Sequence, residues 1–169
     1  GFLVKKIRFM TELLPAVKIT SSLYIHLINF SLLIVLLIYR GHFPSIYWVQ
    51  FPYYFFALYI FVFALGMIAA VIQVFVKDFS GVVAILMQIG FWATPVLWDA
   101  KILPDHFKFI VVYNPANYLV QGYRETFLFE KWFFDRPLES LYFWGLTLVL
   151  LVGGLTLFNR TKNQFADVL

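Results

Sequence analysis

The residues able to do chemistry are few and scattered. Cysteine is absent and there are three histidines, His26, His42 and His106, so disulfides, thiolate metal sites and cysteine nucleophiles are excluded. The histidines stand far apart with no carboxylate at ligand spacing, and HExxH does not occur. The phosphate-cradling GxxxxGK[ST] and the nucleophile elbow GxSxG are also missing. Asp99, Asp105 and His106 form the one acid/base cluster that a membrane transferase acting on lipid-linked sugars could use. The remaining charged groupings are Lys77-Asp78, Arg124-Glu125, Glu130-Lys131 and a basic opening with Lys5, Lys6 and Arg8 ahead of Glu12.

These groups sit in a chain that water cannot accommodate. Of 169 residues, 62% are apolar and only 13% charged, with a mean hydropathy of +0.83. A soluble domain carries about a quarter charged residues. Half that supply cannot cover a small globule, so soluble enzymes and nucleic-acid binders are excluded. The net charge of +4 and the pI of 9.3 read as topological lysine and arginine rather than as a phosphate-binding surface. The start GFLVKKIRFM has neither an initiator Met nor a signal-peptide pattern. The expectation is a piece of a longer protein.

Crossing roughly 30 Å of hydrocarbon takes about 20 helical residues. Windows of that length without Asp, Glu, Lys or Arg fall at 19–39, 52–76, 79–98 and 140–159, so the predicted fold is all-α, a polytopic helical membrane protein with four spans. Pro44 and Pro52 are taken to break the start of the second window. Residues 40–51 form a short loop, and Lys77-Asp78-Phe79 makes a tight turn between spans two and three. Residues 99–139 contain an uncharged stretch with Asn114-Pro115 in its middle. Proline removes a donor and biases its predecessor away from helix. Two short helices meeting at that break are expected, too short to span and too apolar for water, hence re-entrant or interfacial.

Four spans put both ends and the Lys77 turn on one side. That side holds Lys5, Lys6, Arg8, Lys18, Lys77, Arg160 and Lys162 against three acids, while the other side holds six of each sign over a longer stretch. Both ends are therefore predicted cytoplasmic. His26 is the one candidate relay group within the spans, expected near the cytoplasmic third and hydrogen-bonded to a neighbouring helix rather than serving as a proton relay. If the helical pair is re-entrant, Arg124 and Glu125 are partly buried and must be paired. Otherwise they form a solvated interfacial cluster. Tyr47, Trp48, Tyr53, Tyr54, Trp92, Trp98, Tyr113, Tyr118, Tyr123, Trp132, Tyr142 and Trp144 fit an interfacial belt. An inward-facing subset would suit stacking on sugar rings. Gly66 and Ala70, one turn apart, allow close helix approach.

The order of these parts carries a resemblance. A basic segment ending in LLP leads to two spans, a KDF turn and a third span ending in TPVLWD. Then come LP, YNPANYLVQGYRETFLF, a last span and a basic tail ending FADVL. The chain resembles the membrane subunit of ABC-2 type exporters of cell-surface polymers over essentially its whole length, most of all the teichoic-acid translocation permeases of Gram-positive bacteria, with the O-antigen and capsule permeases as near relatives. The resemblance implies a six-span subunit in a bacterial plasma membrane, of which this chain, the C-terminal part of one transmembrane domain, lacks an interfacial helix and two spans. Residues 1–18 would hold a coupling helix in a groove of the ATPase, through Lys5, Lys6, Arg8, Glu12 and Leu14, with Lys77 and Asp78 as a second contact. Gate helices at 103–113 and 117–129 would sit between the last two spans, residues 160–169 would be a cytoplasmic tail, and the path would involve Trp92, Trp98, Tyr113, Asn114, Pro115, Tyr118, Tyr123, Arg124 and Glu125. Ala116 is smaller than the bulky residue common after Asn-Pro. The implied partners are an ABC ATPase, a second copy of the permease, an undecaprenyl-diphosphate-linked glycan and the bilayer, with no nucleic acid. The chain itself would bind no cofactor or metal and be no enzyme, with ATP and Mg on the partner. The alternatives are the transferase, an exporter of O-antigen, capsule or drugs, and a scaffold without cargo.

Overall fold

A run of apolar residues that begins Leu13-Leu14-Pro15 can only become helix in lipid, and proline in the first turn costs no hydrogen bond. The structure, a computed structural model, describes residues 13–161, with side chains from residue 17 onward. Helix α1 spans Leu13–Tyr39. It stops where Gly41 enters the left-handed region (φ +88°), letting the His42 N–H donate to the Leu37 carbonyl at 2.9 Å. This is the usual glycine closure of a helix end. A 3-10 turn, Ile46–Gln50, runs straight into α2, Phe51–Phe75. Pro52 sits in the first turn of α2, where its missing N–H would have had no partner.

The third window differs from its expected length. Helix α3 covers Phe79–Ala93, about 22 Å against a core of roughly 30 Å. Pro95 cannot donate to the ladder and drives Thr94 into extended backbone (φ −94°, ψ 129°), and the Thr94 hydroxyl closes the end on the Gly90 carbonyl at 2.7 Å. Residues 94–98 form a turn, not the last part of a span. Helix α6, Pro137–Thr161, completes the set. Among the described residues, three helices are long and apolar enough to cross a membrane, at 17–39, 46–75 and 137–161. The fold is all-α, that of a polytopic membrane protein.

Between α3 and α6 the chain makes 3-10 turns at Ala100–Ile102 and Asp105–Phe107, then α4, Lys108–Val112, and α5, Pro115–Arg124. The expected break falls at Asn114, whose side chain caps α5 by accepting from the Ala116 N–H at 3.0 Å. Helix α5 continues as a π-helical turn, Glu125–Phe129, ended by Glu130 in the left-handed region (φ +52°).

The core lies between α2 and α6, with α5 laid across one end. Small residues set the distance: Ala57 and Ala64 are wholly buried, and a Cβ at Gly154 would stand 3.2 Å from the Ala64 carbonyl. Gly66 faces the other way, towards Ile19 of α1, as its spacing with Ala70 suggested. In contrast, α3 has no buried residue, and only 6% of the α1 window is buried.

Candidate functional site

The polar residues of the broken pair converge on the first turns of α2 and α6. Gln50, almost wholly buried, clamps the 131–133 segment, where Trp132 leads into the 3-10 turn Phe133–Asp135, with both ends of its amide. Its Nε2 donates to the Lys131 carbonyl at 2.6 Å and its Oε1 accepts from the Phe133 N–H at 2.9 Å. Beside it, the Tyr53 hydroxyl meets the Tyr118 hydroxyl at 2.8 Å, and Tyr118 meets the Ser140 hydroxyl at 2.9 Å. Trp144 Nε1 donates to Tyr53 at 2.9 Å. One hydroxyl chain thus ties α2, α5 and α6 together. In a low-dielectric setting each link is strengthened by the next, and a broken link is costly. Burial pushes the Tyr118 hydroxyl well above its ordinary pKa, so it stays a neutral donor.

A charged layer lies next to this chain. Arg136 Nη2 donates to Glu125 at 2.6 Å and Nη1 donates to Glu139 at 2.5 Å, while its guanidinium lies 5.9 Å from the centre of the Tyr118 ring. Glu125 is buried. Burial raises its carboxyl above the usual range, and Arg136 pulls it back without cancelling the rise. Burial also disfavours the charge on Arg136, but Glu125 and Glu139 together outweigh that and raise its pKa. The pairing expected for the Arg124-Glu125 dipeptide therefore exists for Glu125, and its partner is Arg136. Arg124 turns away and donates to the Val96 carbonyl at 2.8 Å.

Two adjacent charges diverge because consecutive helical residues point about 100° apart and do not face each other. The wider π-helical turn shifts the residues after Arg124 around the axis, while Thr126, wholly buried, back-bonds to the Gly122 carbonyl at 2.7 Å. Gly122 itself packs on the Tyr54 ring so closely that a Cβ there would overlap it.

Helix α5 also reaches α1. His26 Nε2 and the Tyr123 hydroxyl are 3.2 Å apart, so the expected hydrogen bond to a neighbouring helix is present, with the broken pair as the neighbour. That contact lies about 20 Å down α1 from its Tyr39 end, so the pair inserts deeply into the bundle. Around it pack Phe30 and Phe51, stacked at 4.0 Å, with Phe127 5.2 Å from Phe30. Burial pushes the Tyr123 hydroxyl up to about 12.

The other sequence-derived residues fall into separate places. Asn114 Nδ2 donates to the Thr94 hydroxyl at 2.8 Å, so Asn114 and Pro115 fix the break of the pair to the end of α3. Trp92 and Trp98 line a groove beside α3 with Ile85, Ile89 and Ile110, joined by a 3.1 Å bond from Trp98 Nε1 to the Trp92 carbonyl. Tyr113 is largely exposed, and its carbonyl accepts from the Tyr142 hydroxyl at 2.9 Å. Lys77 and Asp78 form the α2–α3 turn, capped by Gln73 donating to the Lys77 carbonyl at 2.7 Å. Lys5, Lys6, Arg8 and Glu12 lie outside the described residues, and Leu14 falls in the first turn of α1. Asp99 caps its own turn by accepting from the Lys101 N–H, and Asp105 pairs with Lys108 on the surface. Among the described residues no group of three or more His, Asp or Glu is placed to hold a metal ion.

Gln50, Ser140 and Arg136 did not stand out in the sequence. Two signals were there to read: Gln50 is an amide within an otherwise apolar run, and Arg136 stands directly before Pro137 and three residues before Glu139. A polar side chain on the edge of a span is there because something holds it.

The helices and the buried polar layer define the class, an integral all-α membrane protein with a broken helical pair packed into one end. No family model matches the chain. It is similar to two proteins of Klebsiella pneumoniae named O-antigen export system permease protein RfbA, at 27% and 26% identity over 168 residues, 99% of this chain. It is also similar to the protein of that name from Myxococcus xanthus, at 28% over 167 residues, 98% of this chain. The chain spans 64% of the length of each of these relatives.

Proposed function

We propose that this chain is the larger part of the permease subunit of an ABC-2 type exporter, which moves a lipid-linked cell-surface polysaccharide across a bacterial plasma membrane while a separate subunit hydrolyses ATP. The observation that carries the proposal is the end-to-end similarity to permeases named for O-antigen export. The arrangement of long helices, short α3 and inserted broken pair supports it. O-antigen-like polymers are the cargo favoured by those names. Teichoic acid is the second reading, favoured by the YNPANYLVQGYRETFLF motif and its neighbours.

In this reading the permease works as a dimer and supplies the path and a two-state element, and ATP binding in the partner biases that element. Residues 1–18 couple to the ATPase through Lys5, Lys6, Arg8, Glu12 and Leu14, and Lys77 and Asp78 touch it at the α2–α3 turn. The broken pair gates the path at the opposite end, with Trp92, Trp98, Tyr113, Tyr118 and Tyr123 on or beside the route. Because the hydroxyl chain and the Glu125–Arg136 pair fasten α5 to α2 and α6, the gate moves with those two helices as one body.

Deleting residues 5–14 from the full-length permease should abolish co-purification with its ATPase, and an intact complex would sink the coupling assignment. Depleting the permease should remove one surface polymer, whose chemistry decides between O-antigen and teichoic acid. Alanine at Asp99, Asp105 and His106 should leave export unchanged, whereas loss would favour the transferase. On sealed cells, a membrane-impermeant amine reagent should modify Lys101 or Lys131 and miss Lys77. Labelling of Lys77 would reverse the orientation.

A further inference from the structure

Helix α1 is held to the rest of the molecule by little. Only 6% of its membrane window is buried, and His26–Tyr123 is the one side-chain hydrogen bond that joins it to another element among the described residues. Phe30, one turn further along, adds ring contacts to Tyr123 and Phe127 at 6.1 and 5.2 Å, but lipid tails compete for such apolar contacts on nearly equal terms. His26 also stands where two cavities meet. One, of about 280 Å³, runs past Lys18, Ser22 and Val62. The other, of about 510 Å³, runs past Leu37, Leu119 and Phe127, and His26 and Leu58 line both. Lys18, Ser22 and His26 recur every fourth residue of α1, so one polar row of that helix follows the groove from its Lys18 end to Tyr123.

We propose that His26 is a proton-operated latch: neutral, it holds α5 against α1 through Tyr123, and protonated, it lets the two helices part. The neutral imidazole spends Nε2 on the Tyr123 hydroxyl at 3.2 Å, and Nδ1 has no partner among the described residues. A proton taken up there puts a cation between mostly apolar walls. The charged groups that line the same cavities are Lys18 of α1 and Arg124 of α5, both cations, while α2 presents Phe55 and Leu58. No carboxylate of the described residues lines either cavity. The contact with Tyr123 survives protonation, and the Phe55 ring, 6.0 Å away, gives a cation some relief, but neither replaces the hydration lost on burial. Water replaces it, and enters as α1 moves off α5. The latch goes beyond the exporter reading and does not depend on the cargo. Within that reading it frees the broken pair from the helix that follows the coupling segment.

The test is double electron–electron resonance on the full-length permease in lipid nanodiscs, with spin labels on α1 and α6 through Ile28→Cys and Leu141→Cys, both positions largely exposed. From about pH 8 down to about pH 5, either side of the ordinary imidazole range, the ratio of long to short distances should rise. The rise should reach up to about tenfold per pH unit, the slope of one coupled proton. His26→Gln, which keeps a hydrogen-bonding group for Tyr123 and takes up no proton, should hold the short distance throughout. Tyr123→Phe, which removes the partner and leaves the imidazole, should raise the long-distance share even at the upper pH, and it gives a second reading should His26→Gln not fold. A label pair on α2 and α6, through Leu65→Cys and Leu148→Cys, should keep one distance at every pH. Parent distances blind to pH, a His26→Gln response equal to the parent's, or a Tyr123→Phe protein as closed as the parent each overturn the latch, as does a control pair that moves with the first. Distances blind to pH in a protein that still exports overturn the latch and leave the exporter reading in place. The expected pH response in a protein that assembles with no ATPase does the opposite.

Discussion

The end of the bundle where α5 crosses α2 and α6 and the flank formed by α1 and α3 are made of the same apolar residue types, yet they are held in different ways. At the α5 end, aromatic rings pack on buried polar groups, and Gln50, Tyr118, Glu125 and Thr126 are all buried and hydrogen-bonded. Along α3 no residue is buried, and Ile85, Leu86, Met87, Ile89 and Trp92 face outward. Lipid tails are as apolar as leucine, so hydrophobicity alone does not hold one membrane helix to another. Where a fixed geometry is needed, close packing and polar contacts supply it. Where they are missing, the helix is free to meet lipid or another subunit.

If that contrast is right, substitutions at the α5 end should cost stability in proportion to the contact removed, while equivalent changes on α3 cost almost nothing. The largest effect is expected from Arg136→Leu, which leaves Glu125 buried without its partner. The thermal unfolding midpoint of the full-length protein in detergent should report a loss of about 3 to 5 kcal/mol. The double variant Arg136→Leu/Glu125→Leu should recover most of it, because replacing both charges by apolar groups is close to neutral. A double variant as unstable as the single would show that Arg136 works through packing instead. Met87→Ala on α3, 69% exposed, is the control and should shift the midpoint negligibly.

Gly122→Ala comes next. The added methyl falls inside the Tyr54 ring, and overpacking of this kind costs about 1 to 3 kcal/mol. Gly122→Ala/Tyr54→Ala should be less unstable than the sum of the two single changes. Simple additivity would mean that the two residues do not press on each other.

The helices of this comparison were legible in the sequence, and most of the contacts were not. Charge-free windows located α1, α2 and α6, because length and hydropathy are the quantities a bilayer selects. The same criterion made α3 too long, since a window cannot see that Pro95 and the Thr94 hydroxyl end the helix early. Asn114-Pro115 announced the break, whereas a partner for Glu125 was required only if the pair were re-entrant, a solvated cluster being the default reading. The identity of that partner was hidden because Arg136 lies 11 residues further on, past the helix end at Glu130, where no helical period links the two. Gln50 went unnoticed because an amide carries no charge to count, and its two bonds are to main-chain atoms 81 and 83 residues away.

Smaller effects sharpen the comparison within the polar end itself. Tyr118→Phe removes one hydroxyl from the chain, but Tyr53 keeps Trp144 and Ser140 keeps the Phe133 carbonyl. The expected loss is about 1 kcal/mol, well under that of Arg136→Leu. A loss as large would make the hydroxyl chain, and not the ion pair, the main fastening.

The smallest effect is a dependence on pH. The Glu125 carboxyl is raised above its ordinary value, chiefly by burial, so between that ordinary value and the raised one the folded protein holds more protons than the unfolded chain. Stability contributed by this group is therefore fully present at acid pH and is lost as pH rises through the raised value. Glu125→Gln has no such titration. The difference in midpoint between the parent and Glu125→Gln should accordingly move in the parent's favour on going from neutral pH towards the ordinary carboxylate range, and a move the other way would mean that Arg136 outweighs burial and holds the carboxylate charged throughout. That sign separates a charged layer tolerated for the geometry it imposes from one that is itself the source of stability, a distinction the outward-facing helices cannot make because they bury no charge.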